Sequence, residues 1–318
     1  MMNTLPSPQS LAASITKAAS KQTFYTIRFL ADRDRVAEAY KAYAYFRWVD
    51  DTLDADHLQS DSDVEARERI RFLERQKKLL ETCYRSESIP DATPEEQMLI
   101  ELVQHDQEKN SGLQSYLRNM MQVMEFDTWR RGRLISYSEL NEYTRWLATA
   151  VTEAMHYFIG HGCYAPHDET RYLAVCAAHI AHMLRDTYDD VQAGYYNIPR
   201  ELLEANHIGP QDVHSKAYRA WVQSRVQLAR TYFKAGRDYL ARVEEPRCRL
   251  AGFAYRARFE WLLDTIENEE FLLRPQYSER KSIRTGVRMG LSALSALVHS
   301  RETEAVHQPI VSHSLRKL

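Results

Sequence analysis

Two short acidic clusters, far apart in the chain, are each set within an ordinary helical pattern of apolar residues. The first contains Asp50, Asp51 and Asp54, and the second contains Asp186, Asp189 and Asp190. At the pitch of an α-helix, the three carboxylates of each cluster fall within an arc of about 100°. Crowding like charges on one helix face is unfavourable unless a cation lies between them. The chain is therefore expected to fold so that both helices face one cation site.

The chemistry of the clusters predicts which cation they bind. Hard divalent cations prefer oxygen ligands, and Mg²⁺ usually keeps some waters and completes its shell with substrate phosphates. The sequence therefore predicts Mg²⁺, with Mn²⁺ as a substitute, and a phosphate or diphosphate ester as the ligand. The predicted metal ligands are Asp50, Asp51, Asp54, Asp186, Asp189 and Asp190.

Polar and aromatic residues share the faces that carry the acids. Tyr43 and Arg47 project from the same side of the first helix as its aspartates, and an arginine there can clamp a diphosphate with two hydrogen bonds. In the second segment His179 and His182 share the acidic face, with Arg185 at its edge. The spacing of the two histidines and Asp186 would also suit a transition metal, a catalytic base or two hydrogen-bonded core histidines. Both faces therefore resemble the walls of a cavity.

The composition predicts an all-α fold. Only ten glycines and ten prolines occur in 318 residues, and short alternating strand patterns bounded by turn residues are missing. Nothing resembles a domain linker, so we expect one domain over residues 19–300 between flexible tails at 1–18 and 301–318. Helical periodicity predicts helices at about 20–29, 33–55, 64–83, 95–108, 111–130, 137–162, 168–193, 211–242, 245–270 and 278–300.

Charge and cysteine usage restrict the partners and the compartment. A net charge of −2 gives no general attraction to nucleic acid, and a basic stretch from Arg274 to Arg288 is interpreted as a solvated helix end. No apolar run approaches the roughly 20 residues that a membrane span requires. Reduced thiols and a cytoplasmic location are indicated by the absence of metal or redox spacing among Cys83, Cys163, Cys176 and Cys248.

Several motifs in order resemble the squalene and phytoene synthase family, the head-to-head branch of the trans-isoprenyl diphosphate synthases. Residues 43–54 resemble its first aspartate motif, and residues 184–190 resemble the second. Residues 194–202 occupy the place of its glycine-containing signature, residues 140–151 resemble its middle helix, and residues 21–24 resemble its N-terminal diphosphate-binding motif. One acidic motif alone would be weak support, whereas several at the right spacing are specific.

The resemblance implies an isoprenoid-synthase helical bundle with a central apolar cavity between the two acid helices. It implies that Mg²⁺ holds a diphosphate, whose departure leaves an allylic cation that a second prenyl chain captures. Two C15 or C20 diphosphates would join through a cyclopropyl intermediate to phytoene or dehydrosqualene, or with NADPH to squalene. The implied catalytic residues are Tyr43, Arg47, Asp50, Asp54, Asp186 and Asp190. The implied substrate contacts are Lys21, Thr23, Phe24, Tyr43, Arg47, Tyr143, Thr149, His179, His182, Arg185 and Tyr195.

The chain also departs from the family pattern. Threonines replace small glycines at Thr149 and Thr152, which is expected to narrow the prenyl pocket. Tyr195 stands where the family has an arginine, which is expected to weaken the hold on one diphosphate. Asn197 stands where the family has a tyrosine, and His179 and His182 stand where it has glutamine and asparagine. Lys21 and Thr23 replace its two serines.

Other functions remain open at this point. A terpene cyclase or diphosphate lyase would act on one prenyl diphosphate with the same chemistry. A di-metal helical-bundle oxidase would use the histidines and acids, although its usual pattern of glutamates with Glu-x-x-His is missing. A non-catalytic homologue would be expected to have lost its aspartates. Asp127 is interpreted as structural or as a neighbour of the metal ligands. The apolar prenyl chains of the implied substrates predict a weak association of the protein with a membrane surface.

Overall fold

The computed structural model describes residues 8–55, 62–87, 90–278 and 290–291, and no strand occurs within these ranges. The predicted all-α class is confirmed. The predicted helix at 278–300 and the tail at 301–318 lie almost wholly outside the described residues. The helices are α1 (Pro8–Ala19), α2 (Lys21–Leu30), α3 (Val36–Asp54), α4 (Ser62–Tyr84), α5 (Pro94–His105), α6 (Gly112–Arg130), α7 (Tyr137–Phe158), α8 (Leu173–Ala193), α9 (Arg200–Asn206), α10 (Lys216–Leu240) and α11 (Pro246–Asn268).

Capping residues explain where several helices begin. Ser111 caps α6 by accepting a hydrogen bond from the Gln114 N–H. Ser136 and Glu139 form a reciprocal capping box at the start of α7, which satisfies two backbone donors that would otherwise lack partners. These short polar side chains fix the start of the two helices that carry Asp127 and Tyr143.

The N-terminal segment corrects one prediction, because residues 8–18 are not a flexible tail. They form most of α1, which packs against α3, and Ala12 and Thr16 are fully buried. These two residues are one helical turn apart, so α1 presents a narrow buried face despite its polar composition. Helix α9 was also not predicted, since its seven residues are too short for a periodic pattern to stand out.

Three predicted helix boundaries differ by several residues, since α7 ends earlier and α8 and α10 begin later than predicted. Helix α7 ends at Phe158 because the chain turns through left-handed backbone at Gly160 and Gly162. Helix α8 begins only at Leu173, after the turns that follow those glycines.

No helix within the described ranges is long and apolar enough to cross a membrane.

Helices α7 and α8 occupy the middle of the bundle. Helix α7 packs against α6 and α8, while α8 also packs against α10 and α11. The approach of α10 to α8 is close, because a Cβ atom on Gly236 would lie 2.6 Å from the Cβ atom of Ala174. Each acid cluster therefore lies at the C-terminal end of a helix that is packed into the core.

A pair of glycines positions the loop that follows α8. Gly194 ends that helix in left-handed backbone with φ of 85°, which an L side chain rarely adopts. The Gly132 N–H donates to the Gly194 carbonyl at 2.8 Å, and the Tyr195 N–H donates to the Asp190 carbonyl at 2.7 Å. These bonds hold Tyr195 beside the C-terminal end of α6.

A buried ion pair joins α7 to the start of α8, and its loss is expected to lower the stability of the fold strongly. The Arg171 and Glu153 side chains are 4% and 12% exposed, and the Arg171 Nε atom lies 2.7 Å from Glu153 Oε1. Replacing Arg171 with Met leaves a buried carboxylate without its cation, which typically costs about 3–5 kcal/mol of unfolding free energy. Urea unfolding measures this loss.

The control for that prediction is the exposed pair formed by Arg145 and Glu142, at 3.0 Å on the surface of α7. Exposed pairs contribute about 0–1 kcal/mol, so Arg145→Met should change the unfolding free energy little. Equal losses in the two variants would show that burial of the Arg171 pair does not determine its contribution.

Candidate active site

The second acid cluster is tied to the C-terminal end of α6 by a chain of hydrogen bonds. The Arg130 Nε atom donates to Asp127 Oδ1 at 2.6 Å, and Arg130 Nη1 donates to Asn197 Oδ1 at 2.7 Å. The Asn197 amide in turn donates to Asp190 Oδ2 at 2.7 Å. The orientation of the Asp190 carboxylate is therefore set by a guanidinium from another helix.

The first acid cluster reaches the same arginine through Tyr195. The Tyr195 hydroxyl donates to Asp54 Oδ1 at 3.3 Å, and the Arg130 guanidinium lies 5.0 Å from the centre of the Tyr195 ring. The Tyr143 ring centre is 4.6 Å from the same guanidinium, and the Tyr143 hydroxyl donates to Asp127 Oδ2 at 3.0 Å. The ends of α3 and α8 are therefore both connected to the Asp127–Arg130 pair, through Tyr195 and Asn197.

Arg130 was not predicted from the sequence, and two of its neighbours are more closely connected to the acid clusters than predicted. Asp127 was interpreted as structural or as a neighbour of the metal ligands, and Asn197 was noted only as a departure from the family pattern. One signal was available, because an aspartate and an arginine three residues apart at a helix end can pair on one face. The contact between Arg130 and Asn197 depends on tertiary packing and left no such signal.

Burial and like charge raise the pKa of three carboxyl groups in this region. Burial, followed by the charge of Asp54, raises the pKa of Asp50 to about 6. Burial, followed by the charge of Asp186, raises the pKa of Asp190 to about 7. Burial also raises the pKa of Asp127, against the opposing effect of Arg130. Negative charge is therefore crowded where the two acid helices meet.

Asp186 behaves in the opposite way because its charge has partners. Burial alone would raise its pKa, but hydrogen bonds from His182 and Arg185 outweigh burial and lower it. His182 Nε2 lies 2.9 Å from Asp186 Oδ2, and Arg185 donates to both carboxylate oxygens at 2.5 and 2.6 Å. Asp186 therefore pairs directly with a guanidinium, whereas Asp190 accepts its hydrogen bond from the neutral amide of Asn197.

The two arginines predicted to clamp a diphosphate each pair with acids of their own helix. Arg47 lies 3.1 Å from Asp50 Oδ2 and forms a two-pronged hydrogen bond with Asp51. Arg185 pairs with Asp186 in the same two-pronged manner. Each guanidinium is therefore already oriented towards oxygen acceptors at an acid cluster.

The donor set fits Mg²⁺ better than a transition metal. Among the residues that the structure describes, no three carboxylate, imidazole or thiol groups converge on a ready metal site, which holds for His179, His182 and Asp186 and equally for the three aspartates of each acid cluster. Mg²⁺ needs only one or two carboxylates together with waters and phosphates. A cation would also offset the burial and the like-charge repulsion that raise the pKa values of Asp50 and Asp190.

The N-terminal motif lies apart from the acids. Thr23 is part of the cap of α2, since its hydroxyl donates to Ser20 Oγ at 2.9 Å. The Phe24 ring stacks on Tyr40 with 5.2 Å between centroids, and Lys21 is exposed. Within the described ranges, no hydrogen bond or ion pair joins Lys21, Thr23 or Phe24 to either acid cluster. Their predicted contacts with substrate stay predictions.

The remaining predicted site residues differ in exposure. Asp51 and Asp189 are exposed, while Tyr43 and Thr149 are partly buried. A pocket about the size of one water molecule lies between α7, α8 and α10, next to Asn197. The larger central cavity that the resemblance implies stays a prediction.

His179 is a buried polar residue without a protein partner. Its ring lies on α8 in an edge-to-face contact with the Tyr143 ring, with 5.1 Å between centroids, and the residue is 5% exposed. Neither ring nitrogen has a hydrogen-bond partner. Burial lowers the pKa of His179 well below its usual value, so the imidazole is neutral. A buried polar group in this state is an exception that calls for a water or a ligand as its partner.

Comparison with solved structures establishes the fold. Squalene synthase HpnC from Alicyclobacillus acidocaldarius has 19% identity and a TM-score of 0.64, with 84% of this chain and 95% of that chain covered. A dehydrosqualene synthase in complex with a ligand has 16% identity and a TM-score of 0.63, with 94% and 97% covered. The predicted isoprenoid-synthase type of bundle is therefore confirmed.

Comparison with sequences gives the family. None of the curated protein sequences compared with this chain is a significant match. The family model for squalene/phytoene synthase matches residues 16–285, which is well over half of the chain and includes both acid clusters and the Asp127–Arg130 pair. The chain therefore belongs to the squalene/phytoene synthase family.

Proposed function

We propose that the protein is a Mg²⁺-dependent prenyltransferase that joins two C15 or C20 prenyl diphosphates head to head. The observation that carries this proposal is the continuous set of contacts from Asp54 through Tyr195, Arg130 and Asn197 to Asp190. In a member of this family, such contacts support a shared diphosphate site at the ends of α3 and α8. The retention of both acid clusters argues against a non-catalytic homologue.

Asp50, Asp54, Asp186 and Asp190 are the residues proposed to hold Mg²⁺. The bound ion would neutralise charge that develops on the departing diphosphate, and Mn²⁺ is expected to substitute because it also prefers oxygen ligands. Arg130 contributes indirectly, since its hydrogen bond to Asn197 orients the Asp190 carboxylate.

Arg47 and Arg185 are the residues proposed to bind the diphosphate. A guanidinium binds two phosphate oxygens with the same fork that it uses for a carboxylate. In the proposed complex each arginine exchanges its present aspartate partner for the diphosphate. The Tyr43 side chain lies one turn before Arg47 and is proposed to orient the same group.

Apolar walls around the diphosphate site are proposed to protect the allylic cation. Excluding water there prevents premature capture of the cation before the second prenyl chain adds. NADPH would be the reductant for a squalene product, so product formation with and without NADPH tests whether it is required.

A terpene cyclase or diphosphate lyase is the second candidate. It is favoured by Thr152, which is 1% exposed and whose hydroxyl has no hydrogen-bond partner. This threonine stands where the family has a small glycine, so it takes up volume on α7. A pocket narrowed in this way would favour one prenyl chain over two.

Release of inorganic diphosphate tests the metal dependence of the proposal. We expect release from a C15 or C20 prenyl diphosphate with Mg²⁺ or Mn²⁺, and none after chelation with EDTA. Excess Mg²⁺ added back after chelation should restore the rate. Release that continues undiminished in EDTA would contradict the assignment of the aspartates as metal ligands.

Replacing His179 with Leu separates its effects on stability and function. Leaving a buried polar group unsatisfied costs about 1–3 kcal/mol, so the leucine variant should gain unfolding free energy of that order. We expect slower diphosphate release, because the variant loses the two nitrogens that only a water or ligand can contact. Urea unfolding and initial rates measure the two effects.

His167 offers a matched control because it is an exposed histidine in the loop before α8. His167→Leu should change neither stability nor rate appreciably. A loss of stability in His179→Leu would contradict the absence of a protein partner, and an unchanged rate would exclude a role in the reaction.

A further inference from the structure

Helix α2 exposes one continuous stripe of aromatic and basic residues. The helix contacts α1, α3 and α11 but contains no buried residue. Its exposed residues fall within an arc of about 120° at the pitch of an α-helix. We call this surface the α2 stripe, and its members are Lys21, Gln22, Tyr25, Arg28 and Phe29.

The aromatic part of the stripe consists of two exposed, stacked rings. Tyr25 and Phe29 are 48% and 67% exposed, and their rings stack with 6.0 Å between centroids and 9° between planes. Exposed apolar area of this kind is unfavourable in water at about 25 cal/mol per Å². Contiguous exposed apolar surface next to polar residues marks a docking surface.

The opposite face anchors the helix, so the stripe is held outwards. Phe24 stacks on Tyr40 of α3 with 5.2 Å between centroids, and the Tyr40 hydroxyl donates to the Phe24 carbonyl at 3.1 Å. These contacts keep Phe24 against α3, so Tyr25 and Phe29 stay on the exposed side of the helix.

The charge of the stripe indicates the chemistry of its partner. Residues 8–31 contain Lys17, Lys21 and Arg28 but no acidic residue, although the whole chain has a net charge of −2. Aromatic rings beside basic residues, on a helix that does not span the bilayer, are typical of segments that lie at an anionic lipid interface. The basic side chains would contact lipid phosphates while the rings enter the headgroup region.

We propose that the α2 stripe docks the protein on an anionic lipid bilayer. A second copy of the chain fits less well, since a symmetric contact would bring two basic surfaces together. Residues 279–318 of the same chain also carry more basic than acidic residues, so they do not complement the stripe either. The inference goes beyond the proposed chemistry and does not depend on it.

Flotation of the full chain with lipid vesicles tests the docking surface without any prenyl diphosphate. We expect binding to vesicles that contain phosphatidylglycerol, little binding to phosphatidylcholine alone, and release at high salt. Arg28→Glu should weaken the partition coefficient about fivefold or more, since one basic residue contributes about 1 kcal/mol near an anionic surface. Tyr25→Ser with Phe29→Ser should weaken it by at least as much.

Two exposed residues elsewhere provide matched controls. Tyr164 is 67% exposed in the loop before α8, and Arg237 is an exposed arginine on α10. Tyr164→Ser and Arg237→Glu should bind vesicles like the wild type. Thermal unfolding of every variant checks that the fold is retained, and Arg28→Glu alters no packed residue.

Several results would overturn the proposal. Equal binding by the wild type and the α2 variants would exclude the stripe as the docking surface. The absence of vesicle binding by the wild type would exclude a lipid partner. A lipid-free dimer that Arg28→Glu stabilises or that Phe29→Ser dissociates would assign the stripe to a second copy instead.

Discussion

Replacing Asp190 with Asn is expected to lower the rate of diphosphate release about 10²–10³-fold, the usual effect of removing one electrostatic contact to a developing charge. The asparagine keeps an oxygen that can accept the Asn197 hydrogen bond, so the local contacts survive the change. What is lost is the negative charge proposed to bind Mg²⁺. Asp50→Asn should behave in the same way on the other acid helix. Initial rates at saturating Mg²⁺ measure both effects.

The same variants should not lose stability. Asp190 and Asp50 are partly buried beside Asp186 and Asp54, so removing one negative charge relieves repulsion in the folded state. Urea unfolding is expected to give an unchanged or higher free energy of unfolding. The control is Asp238→Asn, which makes the same chemical change at an exposed position on α10 and should affect neither quantity. Wild-type rates in Asp190→Asn would contradict the proposed site.

Replacing Arg130 with Met should damage both stability and catalysis. The Arg130 side chain is 7% exposed and pairs with Asp127, so its loss leaves a buried carboxylate without a cation, at a typical cost of about 3–5 kcal/mol. Diphosphate release should fall too, because Asn197 and therefore Asp190 lose the group that orients them. Urea unfolding and initial rates are the two measurements.

Further variants separate the two roles of Arg130. Arg130→Met combined with Asp127→Asn removes both charges, so it should recover much of the lost stability but not the rate. Arg130→Lys keeps the charge without the planar fork, so the rate should stay low. Arg133→Met changes an exposed arginine on the adjoining loop, which pairs with Glu139, and should have little effect. Recovery of the rate in the double variant would show that Arg130 acts only on stability.

The helices and the acid clusters could be predicted from the sequence because both depend on local periodicity. Asp50, Asp54, Asp186 and Asp190 share helix faces whatever the tertiary structure is, and the motifs around them are specific. Helix α1 was missed because its buried face is narrow and its composition resembles that of a tail. Its burial depends on α3, which a local pattern does not reveal.

The connection between the clusters could not be predicted, because it depends on tertiary contacts. The backbone bond between Gly132 and Gly194 brings the loop after α8 to the end of α6. The resemblance marks Tyr195 and Asn197 as departures from the family pattern, and in this fold both lie against Arg130. A guanidinium therefore lies beside Tyr195, although residue 195 itself is not an arginine.

Product analysis tests the central claim most directly. The purified protein would be incubated with Mg²⁺ and C10, C15 or C20 prenyl diphosphates, with and without NADPH, and extracts would be analysed by mass spectrometry. The Asp50→Ala, Asp186→Ala double variant is the control. We predict a C30 or C40 hydrocarbon, or its cyclopropyl diphosphate, that is absent from the control. A product with the carbon count of a single substrate would contradict head-to-head condensation and indicate a cyclase or lyase.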